Sequence, residues 1–288
     1  MPARASIALI GPGAIGGTVA AWLARAHEVA ICARTAFETL RVETPDGMIE
    51  ARPRLLTDPA DAVRADWVLI ATKAYDCEGA AAWLPALVGP ATRVAVLQNG
   101  VEHAERFAPW LDAARIVPAV VDIPAERDAP GRIRQRRFGT IVVREGAEDF
   151  VALFAHSPIA VSTTADFATV AWKKLALNCA GVVNGLTMKP AGVSRDPAIV
   201  ELMRGLVAEC IAVGRAEGAA LDDGLIEEVV DHYRNAPADS VNSLLADRMA
   251  GRPTEIDARN GVIVRLGERH GLAAPLNALA VALIKAAQ

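Results

Sequence analysis

Apolar and polar positions change their rhythm twice along this chain. In its first hundred residues short apolar runs alternate with helical stretches: Ile7-Ala8-Leu9-Ile10, then a helix from Ala14 to Ala26, then Glu28-Val29-Ala30-Ile31-Cys32-Ala33, Trp67-Val68-Leu69-Ile70-Ala71 and Arg93-Val94-Ala95-Val96-Leu97. Such alternation predicts an α/β fold, a Rossmann-type doubly wound parallel sheet whose ligands bind at the carboxyl ends of the strands. From about Ile116 to Ser162 the pattern becomes short strands separated by turns such as Asp128-Ala129-Pro130-Gly131. These are expected to be antiparallel and to extend the sheet edge. Beyond Ser162 the period is helical over 166–183, 197–217, 224–234, 240–249, 254–270 and 275–287. The expectation is therefore two domains, 1–165 and an all-helical 166–288.

The junction of the first strand and first helix reads Gly11-Pro12-Gly13-Ala14-Ile15-Gly16. In this setting Gly11 permits a tight turn, Gly13 lets backbone N–H groups approach a pyrophosphate, and Gly16 lets the helix pack on the strand. Ala14 and Ile15 open the helix whose N-terminus favours the anion. At the tip of the second strand an acidic residue would select NAD through its ribose hydroxyl, whereas an arginine accommodates the 2′-phosphate of NADP. The chain has Ala33-Arg34-Thr35 and no carboxylate before Glu38. NADP is the expected cofactor. Lys73 and Asn99 sit just past two further strand ends.

Composition narrows the class. Of 288 residues, 52% are hydrophobic and 22% charged, with a net charge of -4, which makes a globular chain with no electrostatic reason to bind nucleic acid. Arg132-Ile133-Arg134-Gln135-Arg136-Arg137 reads as a solvated hairpin edge. Apolar stretches stop short of the roughly 20 residues that span a bilayer, and no charged leader precedes the glycines, so a cytosolic chain without a membrane segment is expected. Cys32, Cys77, Cys179 and Cys210 and the five histidines lack metal-ligand spacing, so no metal is expected. His103 and His270, beside charges on helical stretches, are expected at the surface.

Chemistry-bearing residues lie in the second half. Lys174 and Asn178 fall one helical turn apart, on one face. A lysine and an amide there can hold a carbonyl oxygen and a carboxylate; equally, a lysine beside an apolar helix is often a solvated charge. In Arg252-Pro253-Thr254-Glu255-Ile256-Asp257, Thr254 looks like a helix cap, and Glu255 suits a first turn through the helix dipole alone.

Together with Thr72-Lys73-Ala74, Gln98-Asn99-Gly100 and Asn260-Gly261, these motifs in this order resemble the ketopantoate reductase family over nearly the whole length. That resemblance implies a 6-phosphogluconate dehydrogenase-like helical C-terminal domain and NADPH-dependent reduction of 2-dehydropantoate, a small 2-oxo acid. It implies Lys174 as general acid, Glu255 as the carboxylate at the substrate hydroxyl, and Asn178 and Ser243 as substrate contacts. Lys73 and Asn99 would lie near the nicotinamide ribose, with Arg34 as the NADP selector. A homodimer stays open as the assembly. The family often carries a second asparagine one turn after the first; here that position is Val182 and Asn184 comes two residues late. On a continuous helix Asn184 lies about 80° off the Lys174 face, so it joins the substrate contacts only if the helix bends near Gly181. That departure keeps a paralogous reductase of another 2-oxo acid in view. A non-catalytic NADP sensor would need neither Lys174 nor Glu255.

Overall fold

The computed structural model describes residues 4–288, which divide into two compact units. One takes the chain up to Gln98 and again His103–Phe167; the other takes Asn99–Glu102 and Ala168–Gln288.

Among the described residues twelve strands lie in the first unit: β1 (Ser6–Ile10), β2 (Glu28–Cys32), β3 (Leu40–Thr44), β4 (Gly47–Ala51), β5 (Arg54–Leu56), β6 (Trp67–Ile70), β7 (Arg93–Val96), β8 (Ile116–Asp122), β9 (Ala125–Ala129), β10 (Arg132–Gln135), β11 (Thr140–Arg144) and β12 (Ala160–Thr164). Eight form one sheet in the order β12-β11-β8-β7-β6-β1-β2-β5, parallel from β8 to β5. In the β1 register Leu9 lies between Ile31 and Leu69. Successive side chains of a strand point to opposite faces, so Ile7 and Leu9 join one buried cluster with Leu69, whereas Ala8 and Ile10 join another with Val68 and Ile70. Burial on both sides is why these strands are continuous apolar runs.

Only part of 116–162 extends that sheet. β11 pairs antiparallel to β8 and β12 parallel to β11. β9 and β10 instead leave it and join β3 and β4 in a second sheet, ordered β4-β3-β10-β9. The arginine-rich strand β10 is thus an interior strand and not an edge. Its alternation explains the composition: Arg132 and Arg134 face solvent, while Ile133 and Gln135 turn inward onto the first helix. Arg134 pairs with Glu43 at 3.2 Å, and Gln135 accepts a hydrogen bond from Trp22 Nε1 at 2.9 Å.

That helix, α1 (Ala14–Leu23), is apolar almost all round because it meets both sheets. At Gly17 an added Cβ would stand 2.1 Å from Ile133 Cδ1. Shorter helices complete the unit: α2 (Cys77–Ala81), α3 (Leu84–Leu87), α4 (His103–Phe107) and α5 (Glu148–Leu153).

The second unit is helical: α6 (Phe167–Ala180, from Ala168 onward), α7 (Val182–Thr187), α8 (Pro197–Ala216), α9 (Gly224–Asn235), α10 (Ser243–Met249), α11 (Val262–Arg269) and α12 (Pro275–Ala286). α8 starts as its sequence announces, with Pro197 at the first position and the Asp196 carboxylate accepting from the Ala198 N–H at 2.8 Å. Its core gathers Trp172, Leu175, Met203, Leu206, Val207, Leu244 and Ile263. Among the described residues no helix is long and apolar enough to cross a membrane.

Candidate active site

In the first unit the glycine turn leaves β1 through Gly11 at φ +89°, a conformation open to glycine. A Cβ there would also stand 2.8 Å from the Thr72 backbone nitrogen, and one on Gly16 would stand 2.2 Å from the Gly11 carbonyl oxygen. Both glycines are required by packing. Gly13 is different: φ is -72°, and a Cβ would meet nothing within 4 Å. Its small size keeps space open beside the start of α1. That start has no side-chain cap and no acidic residue in its first turn. The leading N–H groups and the positive end of the dipole, at Ala14, Ile15 and Gly16, are therefore available to an anion. These residues fit the pyrophosphate of a dinucleotide.

Arg34 stands just past β2 with its side chain 87% exposed, its Nη2 3.4 Å from Asp76 Oδ2. Lys73 lies beyond β6 in a turn closed by the Asp76 N–H donating to the Lys73 carbonyl at 2.9 Å. Gln98 braces this loop from the end of β7: its amide donates to Thr72 Oγ1 at 3.0 Å and to the Lys73 carbonyl at 3.3 Å.

Asn99 belongs to the second unit. Its Nδ2 donates to Glu255 Oε2 at 3.0 Å. Glu255 is buried just before a wide π-type turn, Asp257–Gly261, that precedes α11. The cap expected at Thr254 is not made; its hydroxyl accepts from the Gln288 side-chain amide. The wide turn carries Arg259, only 3% exposed, whose Nη2 and Nε donate to the Asn178 carbonyl at 2.6 and 3.2 Å and whose Nη1 donates to Ser243 Oγ at 3.4 Å. Lys174 and Asn178 are half-buried, one turn apart on α6, with Lys173 exposed beside them. Asn99, Glu255, Arg259, Asn178 and Ser243 are thereby linked directly or through Arg259, which feels the Glu255 charge.

The set holds its shape because α6 stops at Ala180. A helix end leaves carbonyls without internal partners, and here those of Asn178 and Cys179 are met by side chains, as are the Leu177 and Gly181 carbonyls on either side. Tyr233 donates to the Leu177 carbonyl at 2.9 Å, Arg259 to Asn178, Asn260 to Cys179 at 3.1 Å, and Asn242 to Gly181 at 2.8 Å. Burying any of them unpaired would cost about 1–3 kcal/mol. The chain does break at Gly181, where a Cβ would stand 2.2 Å from Tyr233 Oη.

That break does not deliver Asn184 to substrate. Asn184 is 1% exposed; its amide donates to the Lys189 carbonyl at 3.1 Å and its oxygen accepts from Asn242 at 3.0 Å. The expectation of a substrate contact is corrected: this amide closes the end of α7.

Residues 7–148 match the family model described as Ketopantoate reductase PanE/ApbA, and residues 166–288 match its C-terminal model. The chain belongs to the ketopantoate reductase family. It is 59% identical to a 2-dehydropantoate 2-reductase of Caulobacter vibrioides, covering 98% of this chain and 99% of that protein. It is 41% identical to one of Mycobacterium tuberculosis, covering 98% and 97%. A PanE/ApbA family ketopantoate reductase from Ralstonia eutropha superposes with a TM-score of 0.90 at 33% identity, covering 98% and 97%.

Within this family member, two site-building residues escape a local reading of the sequence. Arg259 sits in a helical period where an arginine reads as solvated, and nothing nearby marks the wide turn that buries it. Gln98 adjoins Asn99, but its role depends on a loop 25 residues earlier in the chain. His103 is also misjudged as a surface residue. It is 2% exposed, its Nε2–H donating to the Gln98 carbonyl at 3.0 Å, and burial followed by the nearby Arg106 charge pushes its pKa down to about 4.

Proposed function

We propose that this chain catalyses the NADPH-dependent reduction of 2-dehydropantoate to pantoate. The observation that carries the reading is the identity of 59% over essentially the whole chain to a 2-dehydropantoate 2-reductase. The two units supply the parts. Residues 1–165 form the nucleotide half: Gly11, Gly13, Ala14, Ile15 and Gly16 seat the pyrophosphate, Arg34 engages the 2′-phosphate, and Lys73 lies toward the nicotinamide end. Residues 166–288 form the catalytic half, which Asn99 joins.

When bound, NADPH supplies hydride to the ketone carbon. Negative charge then develops on the ketone oxygen, where the Lys174 ammonium stabilises it and delivers the proton. Glu255 accepts a hydrogen bond from the hydroxyl as it forms, and the Asn99 amide fixes the carboxylate oxygen that is not so engaged. Asn178 and Ser243 hold the substrate carboxylate and polar tail, which sets the ketone against the acid. Arg34 argues for NADPH over NADH because no acidic residue stands between it and Glu38.

The test is NADPH oxidation at fixed enzyme concentration against a panel of 2-oxo acids, with NADH as control. 2-Dehydropantoate with NADPH should give the highest kcat/KM. A tenfold or greater preference for another 2-oxo acid, or for NADH, overturns the corresponding part of the reading.

A further inference from the structure

We propose that Arg259 is a positioning residue that sets specificity for a carboxylate-bearing substrate, by fixing the Ser243 hydroxyl as a donor toward that carboxylate and placing a positive charge beneath it. This rests on the reading of Ser243 and Asn178 given above. An arginine carries donors only, so at the 3.4 Å contact Ser243 Oγ must accept from Nη1. Its single hydrogen is then directed elsewhere. Ser243 is exposed, although the guanidinium below it is not.

The charge is otherwise poorly compensated. Among the described residues Arg259 forms no ion pair; burial lowers its pKa, outweighing the opposing influence of Tyr233, Glu255, Cys179 and Asp247, which act on it through space. A desolvated cation in that state gains most from an anion placed next to its hydrogen-bonded neighbour.

The competing explanation is that Arg259 only terminates α6. It does satisfy the Asn178 carbonyl. Yet the flanking carbonyls of Leu177 and Cys179 are met by neutral groups, the Tyr233 hydroxyl and the Asn260 amide. Capping this helix end needs a donor and not a charge. The arginine instead bridges the Asn178 carbonyl and the Ser243 hydroxyl, and both of those residues are assigned to substrate.

Two variants separate the explanations. Arg259→Gln keeps a donor for the Asn178 carbonyl and removes the charge, whereas Arg259→Lys keeps the charge. Steady-state kinetics at saturating NADPH on 2-dehydropantoate and its uncharged methyl ester, with calorimetric titration of pantoate, give the readout. In Arg259→Gln the KM for the acid should rise by about tenfold or more, the scale of losing a charge-assisted hydrogen bond. The acid-over-ester preference should fall by the same factor, with kcat and ester kinetics little changed and pantoate binding weakened. Arg259→Lys should recover most of the preference. Proportional losses on acid and ester, or a lower Tm with the preference intact, would reduce Arg259 to a helix cap. Should the glutamine variant not fold, Ser243→Ala decides in the arginine and lysine backgrounds: an unchanged acid-over-ester preference in both overturns the proposal. If the wild-type enzyme favours a different 2-oxo acid, the substrate assignment fails, and the same acid-to-ester ratio measured on that compound still judges Arg259.

Discussion

The two proposed sites draw on different material. The nucleotide half is mostly backbone: a glycine in the left-handed region, a second kept small by open space, a third pressed on a carbonyl, and an uncapped helix start. The catalytic half is side chains brought from Asn99, α6, α10 and the wide turn before α11. A backbone seat is specified by a few adjacent residues and is lost when one gains an atom. A side-chain set is specified by distant residues, and a single member can be removed while the scaffold persists. Damage to one half should therefore leave the other readable.

The largest expected effect lies in the catalytic half. Lys174→Ala should lower kcat by about a thousandfold, within the span of a positioned general acid, while the NADPH dissociation constant changes less than about twofold. Fluorescence titration alongside steady-state assays measures both. Near-normal turnover would remove Lys174 from the mechanism, and a parallel loss of NADPH affinity would show that the halves do not separate.

Acid should strike the nucleotide half through His103. Its folded pKa of about 4 lies below the ordinary value of 6.5, so the unfolded chain binds the extra proton between those limits. Stability from this group is complete above about pH 6.5 and is lost as pH falls toward 4, a change of about 3 kcal/mol at 1.36 kcal/mol per pKa unit. His103→Gln keeps a donor for the Gln98 carbonyl and removes the titration. Urea unfolding followed by tryptophan fluorescence, dominated by Trp22, Trp67, Trp83 and Trp110 of this unit, should show a flatter pH profile in the variant between pH 6.5 and 5. Identical profiles would mean that His103 is not the acid-sensitive group.

The glycines sharpen the contrast from within one motif. Gly13→Ala should raise the NADPH dissociation constant by about tenfold or more, the cost of crowding a charge-assisted anion contact. It should barely change stability, because the loss of glycine at a helix cap and the gain in chain stiffness are similar and opposed. Gly16→Ala should instead destabilise the fold by about 1–3 kcal/mol through overpacking against the Gly11 carbonyl. Thermal melts and cofactor titration on the two variants distinguish a ligand-facing glycine from a packing one.

This division also governs what the sequence discloses. Strands β1, β2, β6 and β7 and the turn after β1 are legible because a buried parallel strand and a glycine seat are local patterns. The helices from Pro197 onward are legible to within a few residues for the same reason. The small sheet is not. Pro45-Asp46-Gly47 is a turn signal for β3 and β4, but β10, the strand that continues their sheet, comes some 90 residues later, and nothing local announces that pairing. Lys174, Asn178, Ser243 and Glu255 are visible as family motifs, whereas Arg259 and the enclosure of Asn184 follow from how α6 ends, a tertiary fact.

The smallest effect tests Arg34, the proposed reader of the 2′-phosphate. Arg34 is paired with Asp76, and the pair is open to solvent on the arginine side. On the proposed reading a 2′-phosphate would compete for that guanidinium and be repelled by the carboxylate, so the pairing should hold NADPH affinity below its ceiling. Exposed ion pairs contribute about 0–1 kcal/mol, so Asp76→Asn should tighten NADPH by about threefold. NADH, which lacks the phosphate, should not respond. Arg34→Ala should weaken NADPH about tenfold, leave NADH alone, and cancel the gain from Asp76→Asn when the two are combined, since neighbours in one network do not act additively. Titration of both cofactors against the three variants measures this, and equal shifts for NADPH and NADH would mean that Arg34 and Asp76 shape the loop without reading the phosphate.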